Sequence, residues 1–199
     1  MRKSFMGFII IFNLIAIPIL WVNTQSHRAK VALPSYGQVA DFSLMDQKGQ
    51  LVTLGSFRGK PWVLDSMFTA CGGACPVMST KMSGLQNILN KEIRLVSITV
   101  DPERDSPERL NEYAKKYKAQ DNRLFFLTGE RTVINKLLTS LHLDIAEDPT
   151  AHTLRFMLID SQGIIRGYYD SEDKKSLKKL NHDSRALLRE ERNHDEGKR

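Results

Sequence analysis

Two thiols and one imidazole are the side chains of this sequence best suited to chemistry. Cys71 and Cys75, the only cysteines, stand three residues apart in Cys71-Gly72-Gly73-Ala74-Cys75-Pro76, between the apolar run Pro61–Phe68 and a stretch with helical periodicity. His152 stands just ahead of a second apolar run, Leu154–Asp160. Two sulfurs and one nitrogen make a soft donor set: Cu(I) takes thiolate and imidazole, while Cu(II) prefers a tetragonal set that a water or a weak fourth ligand would complete. Cysteines at i and i+4 can converge on one side of a first helical turn, where the positive end of the helix favours the thiolate. The same pair can instead exchange electrons with another thiol pair. As a structural disulfide it would close so short a loop that the unfolded chain would be little constrained. Taken alone, His152 reads as an ordinary loop histidine.

Asp65 is the odd residue in Pro61–Phe68, six positions before Cys71. A desolvated carboxylate has a raised pKa and can accept a thiol proton; the alternative is that it bonds a neighbouring hydroxyl or backbone group. Met78 and Met82 are soft donors, but they recur at helical spacing with Leu85, Ile88 and Leu89, which marks them as core fillers. His27, His142, His182 and His194 fall in exposed or amphipathic stretches and are read as non-ligands. The polar run Asp101–Asp105 suits a docking surface or a capping network. Capping is preferred, because Asp105 and Ser106 directly precede a helix.

The elements that must position these groups follow from length and pattern. Of 199 residues, those after an N-terminal segment form one domain large enough to bury a core without disulfide staples. Arg2 and Lys3 precede an apolar stretch from Phe5 to Val22, at the short end of what spans a bilayer. An uncleaved single-pass anchor is the favoured reading, and a signal peptide cut after Thr24-Gln25-Ser26 the alternative. Pro18 argues against a buried core helix. Either way the rest of the chain is exported to a compartment where disulfides form, and the short leader points to a bacterial inner membrane with the domain in the periplasm or another extracytoplasmic space. The chain thus divides into an anchor or signal segment and linker (1–30), one domain (31–192) and a charged flexible tail (193–199). The formal net charge is +6, but 29 basic and 23 acidic residues are interleaved with no dense basic block among aromatics, which excludes a nucleic-acid face.

Strand and helix signals alternate from residue 35 onward, the mark of a mixed α/β domain. Val39–Leu44 and Gln50–Leu54 flank a hairpin loop at Asp46–Gly49. Pro61–Phe68 reads as a buried strand, and Pro76 suits the first position of the next helix. Ile93–Val100 is a strand ended by Asp101-Pro102. Ser106-Pro107-Glu108 opens a helix to about Tyr117. A short strand at Leu124–Leu127 and a helix ending near Leu141 come next. Leu154–Asp160 and Ile164–Tyr169 form a hairpin across Ser161–Gly163, and an amphipathic helix closes the domain.

This order is that of a thioredoxin-like fold, with a central mixed sheet flanked by helices, an N-terminal hairpin extension and an N-terminal transmembrane anchor. The segments Phe68–Pro76, Val96–Pro107, Leu127-Thr128-Gly129, and a late His152 before Leu158-Ile159-Asp160 and Gly163 resemble the Sco/SenC family, over roughly Gly37 to Tyr169. That resemblance implies a membrane-tethered copper chaperone that assembles the binuclear copper centre of cytochrome c oxidase, with subunit II as its partner. It implies metal ligation by Cys71, Cys75 and His152, with the loop entering the strand at Leu154 lying against the cysteine loop. The rival reading is a thiol-disulfide oxidoreductase that keeps the oxidase's cysteines reduced, using Cys71, Cys75 and Asp65 and served by a thioredoxin-type reductant. A redox or copper sensor is a third. Three departures from thioredoxin-like reductases favour the metal: three residues rather than two between the cysteines, Ala70 in place of tryptophan, and His152-Thr153 where a cis-proline usually stands. Gly72 and Ala151 depart from the copper family, many of whose members have proline after the first cysteine and an acid before the histidine; the second change weakens orientation of the imidazole.

Overall fold

Six consecutive buried residues, Trp62–Met67, form β3, the strand from which the cysteine loop leaves. A strand apolar on both faces belongs in the middle of a covered sheet, and β3 lies between β4 (Arg94–Thr99) and β6 (Arg155–Ile159). The computed structural model describes residues 32–141 and 154–196, with side chains to 193. The chain divides into two units, Met1–Ala32 and Leu33–Arg199, and among the described residues every strand and helix belongs to the second. The expected anchor at Phe5–Val22 and the histidines His27, His142 and His152 lie outside the described residues. Among the described residues no helix is long and apolar enough to cross a membrane.

The remaining elements are β1 (Ser43–Asp46), β2 (Leu51–Thr53), a 3-10 turn (Leu54–Phe57), α1 (Ala74–Ile88), α2 (Pro107–Lys116), β5 (Leu124–Thr128), α3 (Arg131–Ser140), β7 (Ile165–Asp170) and α4 (Lys174–Glu196). Seven strands form one mixed sheet in the order β2-β1-β5-β4-β3-β6-β7. β3, β4 and β5 are parallel, with Asp65 opposite Ser97 and Ser97 opposite Phe126, while β1 and β6 join antiparallel. One core holds buried residues of α1, α2 and α4, and the other those of the 3-10 turn and α3. The hairpin extension of the sequence reading is therefore part of the sheet, because β1 pairs with β5.

Several boundaries differ from the sequence expectation, each for a local reason. The first strand begins at Ser43 rather than Val39. Tyr36 and Val39 donate instead to the carbonyls of Ile165 and Gly163 (2.9 Å each), and Ala40 donates to the Ser140 hydroxyl (2.9 Å), which takes that stretch to the opposite edge of the sheet. At its far end Asp46 accepts from the backbone N–H groups of Lys48 and Gln50 (2.8 and 2.9 Å), and Gly49 has φ +73°, so the chain reverses there. Leu54 leaves the second strand for the 3-10 turn. α1 starts at Ala74, which places Pro76 third, where its missing N–H still costs no intrahelical bond. Ile88 is exposed (55 %) rather than part of the apolar stripe. α4 continues through Asn193 to Glu196.

Candidate functional site

Cys71 lies in the loop between β3 and α1, half-buried against the first core, and Cys75 sits in the first turn of α1 with 2 % exposure. Both thiols are free and hydrogen-bond each other. Burial pushes the Cys71 thiol up, but the bond from Cys75 and the backbone N–H groups of Cys75, Gly73 and Ala74 outweigh it, so its pKa is lowered. These are the unpaired amides that open a helix, and they favour the anion. Cys75 shifts upward, first by burial, then by the Cys71 thiol, with Asp65 adding in the same direction and the Phe68 backbone opposing. The pair thus consists of an accessible, acidic sulfur over a sheltered, protonated one.

Beneath them Asp65 is fully buried at the centre of β3, and desolvation raises its pKa to about 7. The Ser97 hydroxyl on the adjacent strand and the backbone moderate that shift. Ser97 is placed too poorly for a full hydrogen bond, so among the described residues neither carboxylate oxygen has a partner. The sequence offered a proton acceptor or a locally bonded acid, and the buried, raised carboxyl suits the first. Behind Cys75, one turn along α1, the Ser79 hydroxyl meets the Tyr113 hydroxyl at 2.9 Å. The phenol is pushed upward chiefly by its own burial, and the neighbouring Cys75 adds to it. Met78 and Met82 are buried in the same core.

The loop is held by a contact between residues 36 apart in sequence. Asp105, fully buried, accepts from the Thr69 backbone N–H (3.0 Å), from the Thr69 hydroxyl and from the Thr99 hydroxyl (2.6 Å). Arg109 donates to the Thr69 hydroxyl (2.6 Å) and lies 3.8 Å from Asp105. Capping was the right reading for Ser106, whose hydroxyl accepts from Arg109 N–H (3.4 Å), but Asp105 turns inward to fasten the segment before Cys71. Thr69, Thr99 and Arg109 carried no signal of this in sequence, since nothing local pairs them. Among the described residues no three histidine, cysteine or acidic side chains cluster as a metal site. His182 is exposed on α4 against Asp183 (3.1 Å). The register of β6 on β3, Trp62 with Ile159 and Leu64 with Met157, sets the start of β6 at the end of β3 that feeds the cysteine loop. Leu154 packs on the core that Cys71 and Phe68 touch, so the chain that resumes two residues after His152 does so at the thiol end of the sheet.

Two thiols in mutual contact, one of them with a lowered pKa, suit a soft monovalent metal or thiol exchange. The SCO1/SenC family model matches residues 33–188. The SCO1 protein homolog of Bacillus subtilis is 31% identical over 146 residues, covering 68% of this chain and 76% of that protein. Among solved structures, BsSco, described with a disulfide switch and as a member of the Sco family of cytochrome c oxidase assembly proteins, is similar at TM-score 0.67 and 29% identity, over 78% of this chain and 95% of that one. Bradyrhizobium japonicum ScoI with copper bound is similar at TM-score 0.62 and 25% identity, over 76% of this chain and 99% of that one.

Proposed function

The chain belongs to the SCO1/SenC family, and on that premise we propose that it carries one copper ion on Cys71, Cys75 and His152 and delivers it to the binuclear site of cytochrome c oxidase, docking on subunit II. The observation that carries this reading is the thiol pair itself, free, in contact and unequal in exposure. The more accessible Cys71 is the sulfur that incoming and departing copper meets first, and the buried Cys75 closes the site by giving up its proton. His152 supplies the nitrogen. In this reading Phe5–Val22 anchors the protein in a bacterial inner membrane, with the domain on the periplasmic side, and a thioredoxin-type reductant keeps the pair reduced. The relatives described as oxidase assembly proteins and as copper-bound support it.

Copper titration of the reduced full-length chain, beside His152→Ala, tests the proposal. One ion per chain is expected, with binding lost when Cys71 and Cys75 are joined as a disulfide. Tight binding by the oxidised chain would refute the ligand set.

Asp65 supports a second reading. In a thiol-disulfide reductase, the Cys71 thiolate would attack a partner disulfide and release one partner thiolate. Cys75, its proton passed to Asp65, would then attack the Cys71 sulfur of the mixed disulfide and release the second. The partner ends as a dithiol and this chain as a disulfide. His152→Ala separates the two, because the histidine ligates in the first reading and is a bystander in the second.

A further inference from the structure

Helix α4 has a surface that copper handling leaves unused. Its inner side, Leu180, Leu187 and Leu188, packs in the core. On the outer side Lys174, Lys178, Arg185, Arg189 and Arg192 are all exposed, and at 3.6 residues per turn they fall within an arc of about 60° along roughly 27 Å of helix. No acidic residue of α4 between 174 and 192 lies in that arc; Asp183, Glu190 and Glu191 occupy other sides. Arg192 meets Glu92 (2.6 Å), and the other four have no ion-pair partner among the described residues.

A second observation places the start of the domain near α4. Arg166 on β7 donates to the carbonyls of Leu33 (2.7 Å) and Pro34 (3.0 Å) and also to Glu190 of α4 (3.0 Å). The chain therefore enters the domain beside α4. Only residues 23–32 separate that entry from the apolar stretch ending at Val22, and they include Arg28 and Lys30 but no acid. Ten residues reach at most about 35 Å when fully extended, so a bilayer holding Phe5–Val22 is within reach of the stripe.

We propose that the basic stripe of α4 lies on anionic phospholipid headgroups and fixes the orientation of the domain on the membrane. The inference rests on the tether reading. Basic side chains next to an anionic surface bind it cumulatively and are screened by salt, and a short tether makes the contact intramolecular, so modest attraction suffices.

The test reconstitutes the full-length chain in phosphatidylcholine vesicles with and without phosphatidylglycerol, and follows amine labelling of Lys174 and Lys178 by mass spectrometry. Lys136, exposed on α3 at the opposite face of the sheet, is the internal reference. At low salt, phosphatidylglycerol should slow labelling of the α4 lysines about five-fold and leave Lys136 unchanged. High salt, or the double variant Arg185→Glu with Arg189→Glu, should remove that protection. Equal rates in both vesicles, or protection that needs an added acidic protein, would overturn the stripe. A chain that does not float with neutral vesicles refutes the tether, and the inference with it; one that floats but shows no lipid dependence refutes the stripe alone.

Discussion

Two sulfur atoms share a helix terminus yet differ in availability, because one faces the loop and the other the core. Alkylation of the reduced protein near neutral pH should therefore modify Cys71 well before Cys75, read by peptide mass spectrometry; equal rates would contradict the asymmetry. Asp65 has a consequence in stability. Its pKa is raised from 3.8 to about 7, so between those values the folded state holds a proton that the unfolded chain has lost. Stability falls as pH rises through that window, by roughly 4 kcal/mol in all, and the loss is complete above the folded pKa. Asp65→Asn should flatten the pH dependence and be the more stable form at pH 8, measured by denaturant unfolding across the window. An unchanged slope would show that the carboxylate is not the source. Cys71, Cys75 and Asp65 were legible in sequence because residue type and position in an apolar run carry the message. Asp105 was not, because its partners Thr69 and Thr99 come from other segments.

At the scale of elements, the cysteine loop is a short crossing between a rigid strand and a helix, and Asp105 is what fastens it. Removing a buried acceptor of three hydrogen bonds leaves Thr69 and Thr99 unsatisfied. Asp105→Ala should thus cost about 2–4 kcal/mol and raise amide exchange at residues 69–73, whereas Ser106→Ala, which removes only a cap, should cost about 1 kcal/mol. Chemical denaturation and hydrogen exchange measure the two. If Asp105→Ala leaves exchange in the loop unchanged, the loop is held by something else. The alternation of strands and helices from β3 to β5 was readable because each strand is an apolar run and each helix has its own start signal. The register of β1 was not, since Val39 and Phe42 look like strand residues but are buried for other reasons: Val39 by pairing across to Gly163, and Phe42 by packing 6.3 Å from Phe57.

For the whole molecule, the proposed tether is the feature that decides where the thiols work. If Phe5–Val22 stays attached, the protein should sediment with membranes, resist carbonate extraction and retain its initiator end; a mature N-terminus at His27 would show that the leader is cleaved. In cells, His152→Ala should lower oxidase activity, and added copper should restore part of it by mass action. Full activity in that variant together with failure of Asp65→Ala would move the assignment to the reductase.

The leading residues of the domain also have a protective task. β7 is the last strand of the sheet, and an uncovered edge strand recruits other strands. Here Tyr36, Gly37 and Val39 occupy part of it: Ile165 N–H reaches the Gly37 carbonyl (2.9 Å), and Tyr36 and Val39 return bonds to the same turn and strand. A fragment beginning at Phe42 would retain all seven strands and both cysteines but lose this cover. It should self-associate through β7, seen as oligomers in size-exclusion chromatography, while one beginning at Leu33 stays monomeric. The residues that lead into the domain thus also serve as a guard against aggregation.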